Sequence, residues 1–460
     1  MDTQAIYQSL SSLFPPNQLI FDASKLSPFQ TDKSPLLGEL PVGVVEIHRS
    51  EEVGILLRWA NQTGVSIVTR GAGTGTTGGA LAAQSGTVIL STRHLNHVLD
   101  LDLQNRCITV QPGVINQEIN NAAISHGLFY PPDPASLYIC SIGGNLAENA
   151  GGPRALKYGV TGDYVLGLKG FFGNGQPFSF GGKRVKDVAG YDLKRLLIGS
   201  EGTIGVITEA ILKLVPLPPF RSLMFIGFMS TQDSLKTLYE IQRLGIQPAC
   251  AELIDWLSLK SVSEYLSLNE PIPTFEAAIL FEIEAGSESE LHRQMEQINW
   301  LCDRSAIAFC KSAISETDIE KLWSIRRNIS HALRSASPDK CSEDVVVPVS
   351  QIPELMKLIR GLNSDQVEAI GFGHLGDGNI HVNFLRRTDS IEDWNITRNK
   401  ARDILFQSVV KMGGSITAEH GVGQTKRNFL PLMFSAEILA TFAQVKAVFD
   451  PNNILNPGIF

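Results

Sequence analysis

The chain has 460 residues, 43% of them apolar, with 39 Lys and Arg against 47 Asp and Glu. That apolar fraction can build a core, so disorder is excluded as the main state, and the length predicts two or three domains. The net charge of −8 argues against a dedicated nucleic-acid binder. The chain lacks an apolar run of about 18 residues, which predicts no transmembrane helix. Its first residues lack the basic and apolar stretches of a secretory signal.

In chain order, residues 1–40 read as a helix followed by an irregular arm. Residues 44–47 read as a strand. Ser50 is placed to cap a helix through Trp59, Gly64 to end it, and residues 65–69 to form a second strand. Strand-length apolar runs follow at 87–91, 107–111, 164–172 and 205–215, with helices over 115–126 and parts of 192–200. The stiff stretch Val215-Pro216-Leu217-Pro218-Pro219 reads as the end of the first domain. Beyond it, strands at 223–228 and 277–284 each lead into a helix, at 231–244 and from Ser287 onward. Ser287 and Glu290 have capping-box spacing. Such pairs predict an α+β second domain. A final helix spans about 435–448. Cys107, Cys140, Cys250, Cys302, Cys310 and Cys341 make no CxxC pair. They offer no familiar iron–sulfur spacing and are expected to be reduced, buried thiols of a cytosolic protein.

Three glycine clusters carry the first chemical signal. Gly73 to Gly78 matches GxGxxG, but only residues 79–86 separate it from the next strand. A dinucleotide fold of the Rossmann kind needs a helix there, so that reading is rejected. The run from Arg70 to Gly79 still suits an anion, through converging backbone N–H groups, threonine hydroxyls and the Arg70 charge; a plain surface turn is the alternative. The second cluster runs from Pro131 through Gly143-Gly144-Asn145 and Asn149 to Gly152. The third is Gly199-Ser200-Glu201-Gly202-Thr203-Ile204-Gly205. Together they point to a large, planar, phosphate-bearing cofactor.

The second signal is a hairpin. Gly376-Asp377-Gly378-Asn379 is a dense turn. Closed there, the hairpin is expected to pair Leu375 with Ile380 and His374 opposite His381, close enough to share a metal, with Asn383 on the same face. In Glu419-His420-Gly421, the carboxylate would supply a third ligand and His420 a general base. Four ordinary polar residues in two turns is the alternative. Arg326, in an apparent helix, has the fork for a substrate carboxylate, although alone it reads as a solvated charge.

The ordered series Gly143–Gly152, Lys157-Tyr158-Gly159, Val185–Leu193, Gly199–Gly205, Gly373–Asn383 and Asn453–Gly458 resembles the FAD-linked 2-hydroxy-acid dehydrogenases. These belong to the vanillyl-alcohol oxidase and p-cresol methylhydroxylase superfamily. The likeness runs from about residue 38 to the C-terminus. It points to the large flavin subunits of glycolate oxidases (glycolate dehydrogenases), with D-lactate and D-2-hydroxyglutarate dehydrogenases as near relatives. The resemblance implies an N-terminal arm (1–37), a two-subdomain FAD-binding domain (38–217), an α/β cap with a ferredoxin-like antiparallel sheet (218–425) and a returning C-terminal segment (426–460).

By the same resemblance, FAD would be held by Arg70, Gly71, Ala72, Gly73, Thr74, Gly75, Thr76 and Gly79. The second cluster would add Pro132, Asp133, Ser136, Ile142, Gly143, Gly144, Asn145, Asn149 and Gly152. Tyr158, Gly159, Glu201, Gly202, Ile207 and Asn456 complete the implied set. No histidine stands in the first loop, so the FAD is expected to be noncovalent. His374, His381 and Glu419 would hold one divalent ion, zinc or manganese. His420 would act as base, and Arg326 and Asn383 would bind substrate. The implied reaction is oxidation of a 2-hydroxy acid to the 2-oxo acid, by metal-assisted deprotonation of the hydroxyl and hydride transfer to flavin N5. Electrons would pass to an iron–sulfur subunit or another acceptor, with the chain cytoplasmic or peripheral to the inner face of a membrane through that partner. The 2-hydroxyglutarate enzymes carry a lysine ahead of the strand matched to residues 344–347. Here that stretch reads Cys341-Ser342-Glu343-Asp344, so a short monocarboxylate is expected.

Overall fold

A computed structural model describes residues 2–268, 273–337 and 339–459. The chain divides into two units. The first comprises Met1–Gly151, Val160–Leu217 and Glu419–Phe460, and the second Gly152–Gly159 and Pro218–Ala418.

The first unit holds two main sheets. In one, strands Leu19–Ile20 (β1), Gly43–Glu46 (β2), Ile67–Arg70 (β3) and Val88–Ser91 (β4) lie in the order β1-β2-β4-β3. β4 runs parallel to β2 and β3. Helix Ser50–Thr63 joins β2 to β3 and buries Val53, Leu56, Leu57 and Ala60, an i, i+3, i+4, i+7 stripe. The cap differs from expectation. Ser50 is already helical and Arg49 holds the cap position, because Glu52 Oε2 accepts the backbone N–H groups of His48 (2.9 Å) and Arg49 (3.1 Å). Gly64, at φ +72°, ends the helix as expected. Residues 71–87 contain no helix, in line with rejecting the Rossmann reading.

The other sheet is antiparallel and contains two strands that the sequence reading did not anticipate, the first and fourth here. Its strands are Val98–Asp102 (β5), Cys107–Val110 (β6), Val165–Phe172 (β7), Pro177–Gly181 (β8) and Gly205–Lys213 (β9), in the order β5-β6-β9-β7-β8. The second glycine cluster is not all loop either. Ile142–Glu148 is a helix, ended by Asn149 in the left-handed region at φ 55°. Gly143 tolerates the helix because it packs on Pro112, whose carbonyl accepts its N–H at 2.8 Å.

The second unit is one seven-stranded antiparallel sheet with helices. Its strands are Phe220–Phe228 (β10), Cys250–Asp255 (β11), Ala277–Ala285 (β12), Ile307–Ala313 (β13), Cys341–Val346 (β14), Val367–His374 (β15) and Asn379–Arg386 (β16). They lie in the order β13-β10-β12-β11-β15-β16-β14. The first four, with helices Thr231–Arg243 and Glu288–Cys302 as crossovers, give the fourth-first-third-second arrangement of a ferredoxin-like sheet. Ser287 caps the second crossover helix as predicted, accepting from Glu290 N at 3.2 Å. β15, β16 and β14 extend the sheet beyond β11.

None of the six cysteines is in a disulfide. They are not uniformly buried, because Cys310 is exposed and Cys341 half-buried. Among the described residues, no helix is long and apolar enough to cross a membrane.

Candidate functional site

The first unit gathers its glycine clusters around a set of buried polar atoms. Arg70 leaves the end of β3 and braces the glycine loop, donating to Ala80 O (3.3 Å) and Thr31 O (2.7 Å). Gly71 passes so close to Ser141 that a Cβ would strike the Ser141 hydroxyl, and that Oγ accepts Ala72 N at 3.2 Å. The helix Ile142–Glu148 meets the third cluster end on, with Gly199 N donating to Leu146 O and Glu201 N to Ala147 O, both at 2.9 Å. Asn456 ties the C-terminal segment in, donating to Glu201 O (2.6 Å) and Gly79 O (3.0 Å).

Around this junction, Thr69 Oγ1, Asn145 Nδ2, Glu148 Oε2 and Asn456 Oδ1 are buried without a hydrogen-bond partner. A folded protein rarely leaves such atoms unsatisfied, so they mark where a polar ligand belongs. They mix donors and acceptors on glycine-lined backbone. That set fits the ring heteroatoms of a flavin, and the loop from Arg70 to Gly79 suits its pyrophosphate.

Not every expected cofactor residue faces this junction with its side chain. Glu201 accepts the backbone N–H groups of Val422 (2.8 Å) and Gly423 (2.7 Å), so its carboxylate anchors the loop that carries His420. Thr77 Oγ1 donates to His420 O at 3.2 Å and fixes the same loop. Asn149 Oδ1 accepts Gly162 N at 2.9 Å. Gly152, Tyr158 and Gly159 fall in the second unit, where the Tyr158 hydroxyl donates to Glu284 at 2.6 Å. Thr74, Gly75, Thr76, Gly202 and Ile207 line the loops and β9, Pro132, Asp133 and Ser136 lead into the helix, and Ile142 and Gly144 lie in its first turn. Burial, with Glu201 close by, pushes the Glu148 carboxyl well above its ordinary range.

In the second unit, the hairpin register differs from expectation by two residues. His374 pairs with Asn379, and His381 pairs with Phe372. The turn keeps four residues but starts one residue earlier, running from Leu375 to Gly378. Gly378 sits at φ +86° and donates its N–H to His374 O. An even shift keeps both histidines on one face, and their rings approach edge to face with centroids 5.3 Å apart.

Both imidazoles are backed by carboxylates that the sequence reading missed. His374 Nδ1 lies 2.6 Å from Glu252 Oε1, and His381 Nδ1 lies 3.5 Å from Asp344 Oδ1. Metal-ligating histidines are oriented in this way by their second nitrogen. Arg326 is not the solvated charge that its sequence neighbourhood suggested. It is buried, its Nε donates to Glu252 Oε2 at 2.6 Å, and its guanidinium lies 4.9 Å from the Phe372 ring centroid. Burial alone would raise the Glu252 pKa, but His374 and Arg326 outweigh it and hold the carboxyl below its ordinary value.

The expected absence of a second cation is also corrected. β14 begins at Cys341, and the residue immediately ahead of it is Lys340, which is buried. Its ammonium donates to Asn383 Oδ1 (3.0 Å) and Ser330 Oγ (2.9 Å). Burial, helped by Arg334, lowers its pKa to about 8. Placing the strand start three residues late hid this lysine. Glu252 was hidden for another reason: β11 is remote in sequence and reaches β15 only through sheet pairing, Glu252 opposite His374.

Two family models divide the chain. An FAD-binding domain matches residues 41–181, and the C-terminal domain of FAD-linked oxidases matches residues 217–459. The chain belongs to the FAD-linked oxidases. One relative in this family, glycolate oxidase subunit GlcD of Bacillus subtilis (strain 168), is 38% identical over 434 residues, covering 94% of this chain and 91% of its own. D-lactate dehydrogenase of Archaeoglobus fulgidus is 34% identical, covering 90% of each chain. D-2-hydroxyglutarate dehydrogenase of Xanthomonas citri pv. viticola is 35% identical, covering 89% of this chain and 86% of its own. Among solved structures, p-cresol methylhydroxylase with substrate bound superposes with a TM-score of 0.80 over 98% of this chain and 95% of its own, at 15% identity. That likeness is one of fold.

Proposed function

We propose that this FAD-linked oxidase oxidises a small 2-hydroxy acid, glycolate or D-lactate, to the 2-oxo acid. The named activities of its relatives support the reaction class. The observation that carries the residue assignment is the buried set of Glu252, Arg326 and His374, with half-buried His381 beside it. There a carboxylate fixes one arginine and one imidazole at 2.6 Å each. FAD, held noncovalently in the first unit, supplies the two-electron acceptor.

Arg326, fixed through Nε by Glu252, turns its other N–H groups to the substrate carboxylate. Asn383 orients the substrate. His374 and His381, with Glu419 as carboxylate, form a donor set suited to zinc or manganese, and such an ion would polarise the substrate hydroxyl oxygen. His420 accepts the hydroxyl proton, on a loop that Glu201 and Thr77 hold in place. The support for Glu419 and His420 in these roles is the sequence resemblance.

Three relatives are named as subunits. We extend the reading to a partner, an iron–sulfur subunit or other acceptor, that takes the electrons from a cytoplasmic chain, at a membrane surface where the partner is attached to one. Buried Lys340 beside Asn383 favours a second reading, in which a distal carboxylate is bound and the substrate is a 2-hydroxy dicarboxylate such as D-2-hydroxyglutarate.

Dye-linked turnover with glycolate, both lactate enantiomers and D-2-hydroxyglutarate tests these readings. Turnover with a D-2-hydroxy acid or glycolate is expected, and turnover with none of them would refute both. Flavin released intact on acid precipitation is the expected sign of noncovalent binding; flavin retained in the pellet would contradict it.

A further inference from the structure

A second cluster of metal-ligating side chains lies in the first unit, at the carboxyl ends of the parallel strands β2 and β4. Glu46 is the last residue of β2 and is buried. His48 follows two residues later, and His94 stands three residues beyond β4. The parallel register sets Glu46 beside Ser91, and Ile47 N donates to Ser91 O at 3.0 Å, so the two chain ends leave the sheet together. The His48 and His94 rings stack with centroids 4.3 Å apart. His94 Nε2 lies 3.5 Å from Glu46 Oε2, and one ligand atom from each of the three residues lies within 4.8 Å of the others.

We propose that Glu46, His48 and His94 form a divalent-metal site, separate from the substrate chemistry. With metal–ligand bonds of about 2.0–2.1 Å, neighbouring donors on a tetrahedral ion stand roughly 3.3–3.4 Å apart. The Glu46–His94 pair already meets that spacing. His48 needs a contraction of at most about 1.5 Å, within reach of side-chain rotation at an exposed residue. The anchors are rigid, because the Glu52 carboxylate holds His48 N at 2.9 Å and Leu95 N closes a turn onto Thr92 O. Arg93 Nε lies 3.0 Å from the other Glu46 oxygen and donates to His94 Nε2 at 3.2 Å, so an ion bound here takes the place of the Arg93 N–H at that nitrogen. Two imidazoles and one carboxylate oxygen select zinc, cobalt, nickel or copper over magnesium or calcium, with solvent completing the coordination.

The experiment is a titration of tag-free, metal-stripped, flavin-loaded protein with zinc by calorimetry and with cobalt by visible absorption. Variants His48→Ala, His94→Ala and His381→Ala are compared with the unaltered chain. Flavin content and unfolding midpoint without metal verify that each is folded. Loss of one equivalent in His48→Ala and in His94→Ala, or at least a tenfold weaker affinity for it, is expected, with that equivalent retained in His381→Ala. Titrations of His48→Ala and His94→Ala that match the unaltered chain would overturn the site. The His381→Ala arm separately tests the ion proposed for the hairpin, so the two readings fail independently.

Discussion

Replacing Glu252 with Gln tests how the second unit holds its charged groups. The substitution keeps the shape and removes the charge that faces Arg326 and His374, each at 2.6 Å. Removing one partner of a buried ion pair typically costs about 3–5 kcal/mol, because the remaining charge is left uncompensated. Loss of a carboxylate behind a ligating imidazole typically weakens metal binding about 10–100-fold. Chemical denaturation of the two proteins gives the first quantity, and cobalt titration of the hairpin gives the second. The difference also has a pH signature. Glu252 has a folded pKa below its unfolded value, so its contribution is fully present above the ordinary carboxylate range. It is lost as pH falls through the depressed folded value. The variant should therefore differ from the unaltered chain at pH 6–8 and converge with it in acid. A stability change under about 1 kcal/mol at pH 7 would refute the reasoning, because the pair would then be as weak as a surface bridge.

Three further predictions concern other sites. Glu148→Gln removes a carboxyl whose pKa is raised by burial and by Glu201. The raised folded pKa makes the unaltered chain lose stability as pH rises from the ordinary carboxylate range through the folded value, and the variant should lack that slope in thermal unfolding followed against pH. Lys340→Met should raise KM for D-2-hydroxyglutarate at least tenfold while sparing glycolate. In the unaltered chain the same KM should rise above pH 8, as the ammonium is lost; equal effects on both acids would remove Lys340 from the distal contact. Gly378→Ala should destabilise the chain by about 2–4 kcal/mol in denaturant unfolding, since φ is +86° and a Cβ there would overlap Val347 O; a neutral effect would show that the turn relaxes.

The local signals were legible in the sequence. Gly64 ended its helix, Ser287 capped another, and the short spacing after Gly78 excluded the Rossmann helix. Face was legible too, since period-two alternation put His374 and His381 on one side. Register was not, because dense turn residues fix that a hairpin turns without fixing at which residue the turn begins. Non-local partners were the main omission. Glu252 and Asp344 lie 122 and 37 positions from the histidines that they back, and only sheet pairing brings them there. Lys340 was lost through a strand boundary placed three residues late. The helix Ile142–Glu148 was obscured by Gly143-Gly144, which disfavour a helix until Pro112 packs beside Gly143.

The central claim is that this chain uses FAD to oxidise a 2-hydroxy acid. The most direct measurement is the visible flavin spectrum of the purified, metal-replete protein under anaerobic conditions, recorded before and after separate additions of glycolate, D-lactate and D-2-hydroxyglutarate. Bleaching of the flavin band by at least one of these acids, with the matching 2-oxo acid formed in equal amount, is the predicted result. A bound flavin that dithionite reduces but none of the three acids bleaches would contradict the claim.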